Sequence, residues 1–409
     1  MSQSFFPLIG GVSSFLAALV CGLIGLGYRV HVLHFAATGS ELFSERYPSV
    51  HQHQIDALRT FTPSTLQGYA RFKEQLYCKL HGLDAEGIGD LSAIDGYHAH
   101  EHVAEAFSRR ATDIIKAHNV DILYLHDYQL FPVLDVGTRA KKVFSIHTPV
   151  LSSYPRGTIS FLREIVSRAD RALVSIPEYQ AALTSVGNPL PVTCLPPFVD
   201  NEVQSTLLGA TVCDFELPRS PFIVTSIQRF DAKSGHQLLI RGFARFVATH
   251  PAALLVLVGG PSFTDSIADV RDHYYRDARA LTMDLGISNS VLFAGSVPYQ
   301  CIPAIYDRTD VFSLLSRSEC FGLALTEAMS RRVPAIVSRV GGLHYQIRDG
   351  RDGLTVGTDD PAAVAAALAC LYKRPDLRMQ YAQSAHRRYL TLFHPAVLLR
   401  RYHALFLSL

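Results

Sequence analysis

Short apolar runs alternate with helical patterns along almost the whole of this chain, and that alternation limits its fold more than any other feature. In the first half, RVHVLHF (29–35), DILYLH (121–126), KVFSIH (142–147), RALVSI (171–176) and VTCLP (192–196) read as strands. In the second half, FIVTSI (222–227), LLVLVGG (254–260), SVLFAG (290–295), DVFSLLS (310–316) and PAIVSR (334–339) repeat the scheme. Helical patterns lie between them over 54–60, 98–118 and 159–167, then over 235–250, 268–285, 302–308 and 323–332. Strand, helix and strand in succession build parallel sheets, and strands this apolar are buried on both faces by helices. A chain of 409 residues exceeds what one hydrophobic core supports. The expected fold class is therefore α/β, with two Rossmann-like doubly wound domains facing a cleft. Their expected bounds are 1–200 and 220–385, joined by a weakly periodic linker over 201–219. A C-terminal segment, 386–409, carries a last helix (396–406) expected to cross back to the first domain. Only six residues precede Pro7, and MSQSFF is a poor strand. Either the usual first strand is stunted or the chain begins a few residues earlier.

A net charge of +2 and the lack of a basic stripe exclude a dedicated nucleic-acid binder. The apolar run 15–27 has no positive charge before it and falls short of the ~18 residues that span a bilayer, so it is read as a buried first helix. No strong membrane signal exists, and a soluble, cytoplasmic protein is expected. The seven cysteines are odd in number and show no C-x-x-C or Cys/His ligand spacing. Reduced thiols are expected, with neither a disulfide framework nor a zinc site.

The sharpest motif is S-E-C-F-G-L-A-L-T-E-A-M (318–329), directly after an apolar strand. Phe321, Gly322 and Leu323 form the predicted turn into a helix, whose first amides lack partners and favour anionic or hydroxyl oxygens. Glu319 stands before that helix and Glu327 about one turn inside it. Carboxylates so placed suit a polyhydroxylated ligand, since each accepts from two adjacent hydroxyls. The spacing alone equally allows Glu319 to be a charge complementing the helix dipole and Glu327 to be a surface residue. A second candidate is Gly10-Gly11 in P-L-I-G-G-V (7–12), where a helix start can cradle phosphate. A third is I-Q-R-F-D-A-K-S-G-H-Q (227–237), where Arg229 and Lys233 could neutralise a leaving diphosphate. His126 and Asp127 in L-H-D-Y-Q-L, and His147 in S-I-H-T-P, end two further strands, where parallel sheets bind ligands. No D-x-D follows a strand in a metal-binding context, and Asp359-Asp360-Pro361 reads as a helix cap, so no essential metal is expected.

E-C-F-G-L-A-L-T-E resembles the E-x7-E signature of the family-four retaining glycosyltransferases, which have the GT-B fold. The likeness continues through E-A-M-S-R-R-V-P-A-I-V-S-R-V-G-G-L (327–343) and D-G-R-D-G-L-T-V (349–356). It implies a hexosyltransferase that uses a nucleotide diphosphate sugar as donor substrate, with no separate cofactor. It assigns Glu327 to the ribose diol, Glu319 to the donor sugar, and the backbone of Gly322 and Leu323, beside Phe321, to the donor's phosphate or sugar. Val297 in A-G-S-V-P-Y (294–299) stands where the nucleotide base docks, and Gly10-Gly11 resembles the family's glycine loop. The H-x-P element of His147 resembles a histidine that contacts the donor sugar. H-D-Y-Q-L, with His126 and Asp127, is similar to the acceptor region of trehalose-type synthases.

Two departures from the family stand out. Its lysine directly precedes the glycine, whereas here Ser234 holds that place and Lys233 comes one earlier. P-P-F-V-D (196–200) carries Phe198 where relatives have glycine. The expected acceptor is a small soluble sugar, polyol or secondary metabolite. Two competing functions remain at this level: a phosphorylase of the same fold and a catalytically weak nucleotide-binding partner subunit. The aromatics Phe61, Tyr69, Phe72, Tyr77 and Tyr97 either line a pocket or pack.

Overall fold

A computed structural model describes residues 1, 11–36, 47–84, 86–185, 187–208, 215–218, 222–260 and 273–409. They form two compact units: Met1–Leu207 together with Pro395–Leu409, and Leu208–His394.

The second unit is built on a six-stranded parallel sheet. Its strands are β7 (Phe222–Ile227), β8 (Ala253–Val258), β9 (Val291–Gly295), β10 (Val311–Leu314), β11 (Ala335–Ser338) and β12 (Leu354–Val356), in the order β12-β11-β10-β7-β8-β9. Strand β7 buries five of its six side chains, as a strand covered on both faces must. Helices His236–Val247 and Pro361–Lys373 pack together in the core of this unit, through Phe243, Phe246, Val364 and Leu368. Asp360 caps the second of these, accepting from the Ala363 N–H at 2.9 Å just ahead of Pro361. Between β7 and β10 the chain reverses its direction of winding, so the loops leaving these neighbouring strands diverge and open a crevice at their carboxyl ends.

The first unit holds a four-stranded parallel sheet, β3 (Ile122–His126), β4 (Lys141–Ser145), β5 (Arg171–Val174) and β6 (Val192–Cys194), in sequential order. A separate parallel pair joins β1 (Val30–Phe35) to β2 (Val50–Ile55). Met1 lies beside β3: its amine donates to the Tyr124 carbonyl and its own carbonyl accepts from His126 N–H at 3.1 Å. The apolar run becomes helix Gly11–Gly25, buried from Ser13 to Val20. Its Phe15 packs edge-on against Phe198, and both rings meet Tyr402 of the final helix, Pro395–Leu407. Phe198 thus fills core space.

Several local expectations change. Residues 54 and 55 belong to strand β2, not to a helix; the strand's inner positions are His and Gln, which hide its period. The expected linker contains helix Asn201–Leu208, started by Asp200, whose carboxylate accepts from Glu202 N–H at 3.0 Å. Cys301 is disulfide-bonded, contrary to the expectation of reduced thiols throughout, because an odd count without close spacing carries no signal for a pair made by tertiary folding. Cys21, Cys78, Cys194, Cys320 and Cys370 are thiols outside any disulfide. Phe61, Tyr69, Phe72 and Tyr77 are buried and pack. No helix among the described residues is long and apolar enough to cross a membrane.

Candidate functional site

In the second unit, the loops after β7 and β10 bring a lysine and a glutamate together across 86 residues of sequence. Lys233 Nζ donates to Glu319 Oε2 at 2.6 Å, and both side chains are about five-sixths buried, at 16% and 15% exposure. Burial works against the lysine's charge, but the carboxylates of Glu319 and Asp231 prevail and hold the ammonium above the ordinary lysine value. Ser316 Oγ lies 3.3 Å from the same Glu319 oxygen. Arg229, half-buried, stands close enough to oppose the charge on Lys233, and has no carboxylate within ion-pair distance among the described residues.

The local sequence explains this placement. Ser234, in the family lysine's place, staples the turn: its hydroxyl donates to the Asp231 carbonyl at 2.8 Å. The next residue must be glycine, because a Cβ on Gly235 would lie 1.7 Å from the Leu315 carbonyl oxygen. The Lys233 carbonyl in turn accepts from Arg317 N–H at 2.8 Å. The two loops are thus locked to each other by backbone, and Lys233 reaches Glu319 despite its displacement by one residue.

Glu319, Phe321, Gly322 and Leu323 form a single turn into helix Leu323–Ser330. Gly322 is its N-cap in the left-handed region, φ 88°, a conformation that costs other residues energy. The buried Gln346 braces this turn, its amide donating to the Phe321 carbonyl at 2.6 Å while its oxygen accepts from Thr326 Oγ1 at 2.7 Å. Nothing in the sequence points to this brace, because a buried amide has no signature in a single sequence.

Glu327 is 7% exposed, so it is not the surface residue that its spacing also allowed. Its Oε1 accepts from Tyr299 Oη at 2.8 Å, and Oε2 lies 3.3 Å from Tyr306 Oη. Burial pushes its carboxyl up to about 7, against the pull of those two hydroxyls. Tyr299 comes two residues after Val297, so the half-buried Val297 loop beyond β9 belongs to the same neighbourhood. Sequence reasoning missed both tyrosines, which lie 28 and 21 residues from Glu327.

The first unit assembles His126, Asp127 and His147 at the carboxyl ends of β3 and its neighbour β4. The imidazoles stack at 5.5 Å, with His126 Nδ1 and His147 Nε2 3.2 Å apart. Burial lowers His147 to about 4, and burial, the N-terminal amine and His147 together hold His126 well below the ordinary histidine value. Two neutral rings can share one N–H, whereas two charged rings would repel. Asp127 occupies φ 69°, ψ 168°, a region that normally only glycine visits. Burial raises its carboxyl to about 6, opposed by hydrogen bonds from Tyr128 N–H, the Gln129 amide and His147 N–H. The buried Tyr69 acts electrostatically with Asp127, and the Lys73 ammonium sits 4.8 Å from the Tyr69 ring. Burial lowers that ammonium to about 8. Gly11 is exposed at the start of its helix, and Gly10 lies outside the described residues.

Residues 214–388, which carry the Lys233–Glu319 pair and the braced turn, match the family of glycosyl transferases group 1. That stretch, less than half of the chain, is similar to the group 1 glycosyltransferases. Over 173 residues it is 35% identical to a D-inositol 3-phosphate glycosyltransferase of Acidothermus cellulolyticus, covering 41% of this chain and 37% of that protein. The match thus spans little more than a third of the curated relative's length. Among solved structures, the sucrose-phosphate synthase of Thermosynechococcus elongatus superposes with a TM-score of 0.73 over 98% of this chain and 93% of its own, at 18% identity. Anabaena HepE, solved in complex with UDP and glucose, gives 0.69 over 100% and 98%, at 17% identity. At such identities the likeness establishes the fold, and that fold is GT-B: two α/β units, each with a parallel sheet.

Proposed function

We propose that this chain is a retaining, metal-independent hexosyltransferase, moving a sugar from a nucleoside diphosphate to a small soluble sugar, polyol or secondary metabolite. The observation that carries this reading is the meeting of Arg229, Lys233, Glu319 and the Gly322 helix start at one switch point. Negative charge accumulates on the departing diphosphate, and cations with unpartnered helix amides are the groups that stabilise it. Lys233 and Arg229 supply the positive charge a metal would otherwise bring. Glu319, anchored by Lys233, accepts from hydroxyls of the donor sugar as oxocarbenium character develops. Glu327 takes the ribose diol, sharing or displacing the Tyr299 hydroxyl. A uridine diphosphate hexose is the first donor to try, since HepE is solved with UDP and glucose. Retention rests on the likeness to the E-x7-E family. On that reading the leaving phosphate oxygen takes the acceptor's proton and no side chain forms a covalent intermediate. The likeness assigns His147 a sugar-binding role, and His126 with Asp127 a role toward the acceptor.

The test pairs binding with turnover. UDP is expected to raise the unfolding temperature of the wild type, as any ligand of the folded state does, and this shift should vanish in Glu327→Ala. Glu319→Ala should keep the UDP shift and lose turnover of the sugar nucleotide. If none of UDP, GDP, ADP and dTDP shifts the transition, or if Glu319→Ala loses binding and turnover equally, the assigned roles fail.

A further inference from the structure

The first unit gathers four histidines from three elements. His31 lies near the amino end of β1, and His51 and His53 alternate on β2, in register with His31 and Leu33. His118 is the last residue of helix Tyr97–His118. Strand alternation puts His51 and His53 on one face of the pair. The rings close on His31 as a hub: His118 is 4.3 Å away by centroid, His51 4.6 Å and His53 5.3 Å. One potential donor nitrogen from each of His31, His53 and His118 falls within 4.8 Å of the other two. His31 Nδ1 and His53 Nε2 are 3.0 Å apart.

Two further observations separate this cluster from chance packing. The Nε2 atom of His31 is buried and has no hydrogen-bond partner, an unfavourable state for a polar atom. Neutral imidazoles are good ligands for a cation. His118, at a helix carboxyl end, also brings the partial negative charge of that terminus.

We infer that His31, His53 and His118 form a binding site for a divalent transition-metal ion, of which Zn2+ is the first candidate. An all-imidazole donor set suits Zn2+, Ni2+ or Cu2+ and not Mg2+ or Ca2+, which take oxygen ligands. Zn–N bonds of about 2.0–2.1 Å in a tetrahedron set donor atoms roughly 3.3 Å apart. The His31–His53 separation is close to this value, and small rotations of His118 bring in the third ligand. His51 stacks on His31 beside them. The ion would tie β1, β2 and the end of helix Tyr97–His118 together. It sits at the amino ends of the strands, whereas substrates of parallel sheets bind at the carboxyl ends, so its role is structural. The sequence showed no such site because its ligands come from positions 31, 53 and 118, without short Cys/His spacing.

The test uses the full chain, freed of any polyhistidine tag and dialysed against chelator, titrated calorimetrically with Zn2+ and with Ni2+. One equivalent of Zn2+ should bind, raise the unfolding temperature and resist competition by Mg2+. His53→Gln and His118→Asn, both at half-buried positions, should each weaken that binding about tenfold or more, since even an outer-shell partner is worth as much. Zinc X-ray absorption of the wild type should show three imidazoles, and this reading does not depend on a variant folding. Stoichiometric binding unchanged in both variants, no binding by the wild type, or fewer than three imidazoles would overturn the site.

Discussion

The second unit ends its central strands in charge, and the first ends its strands in neutral rings. At β7 and β10, a lysine, an arginine and a carboxylate converge, held by backbone contacts that admit no side chain at Gly235. At β3 and β4, two histidines lie within hydrogen-bond distance of each other, next to a strained aspartate. The cationic cluster suits a departing diphosphate, while the neutral, buried surroundings of Asp127 and His147 favour hydrogen bonding to hydroxyls. On the proposed function, the second unit would therefore take the donor and the first the acceptor.

The largest test of this division is Lys233→Ala. If the second unit carries the leaving-group chemistry, turnover of the sugar nucleotide should fall by about 10²–10³, the scale of losing one preorganised electrostatic partner. Steady-state kinetics would measure it, and a loss confined to KM would break the comparison.

A smaller effect distinguishes the units by pH. Glu327 has a carboxyl raised from 4.5 to about 7 by burial, so its neutral form is the one the fold favours. Its contribution is fully present below pH 4.5 and is lost as pH rises through about 7. Glu327→Gln, which cannot ionise, should therefore gain about 2–3 kcal/mol over the wild type at pH 8 and nothing at pH 4. Urea unfolding at both values reads this, and an equal difference at the two would refute it. His147 acts in the opposite sense: with its pKa lowered from 6.5 to about 4, stability is lost as pH falls between those values.

The smallest effect concerns backbone strain in the first unit. At φ 69°, glycine is unstrained and alanine is not, so Asp127→Gly should be more stable than Asp127→Ala by about 1–2 kcal/mol. Thermal unfolding of the two proteins compares them directly. Equal stability would mean that the backbone relaxes, and that the first unit's rigidity at this point is less than its geometry suggests.

Much of the second unit was legible in the residues. Five of its six strands fall within a few residues of the expected runs, which are continuously apolar; β12, only three residues long, was not expected. The Phe321-Gly322-Leu323 turn was visible because a glycine before a helical pattern has few other uses. The first unit was harder. Strand β2 was missed, since V-H-Q-H-Q-I has polar side chains at four of six positions. Glu327's partners Tyr299 and Tyr306, and the brace Gln346, were missed because one sequence does not say which polar side chain a buried group will meet.

By itself, then, the sequence determined the class of fold and the identity of the second unit's motif residues, because period and glycine placement are local properties of the chain. The tertiary structure alone decided that Lys233, one place out of pattern, still reaches Glu319. It also decided that Glu327 is buried under two tyrosines and that histidines 31, 53 and 118 converge. Each of these depends on strand order and loop contact between residues far apart in the chain, and no local pattern encodes such distances.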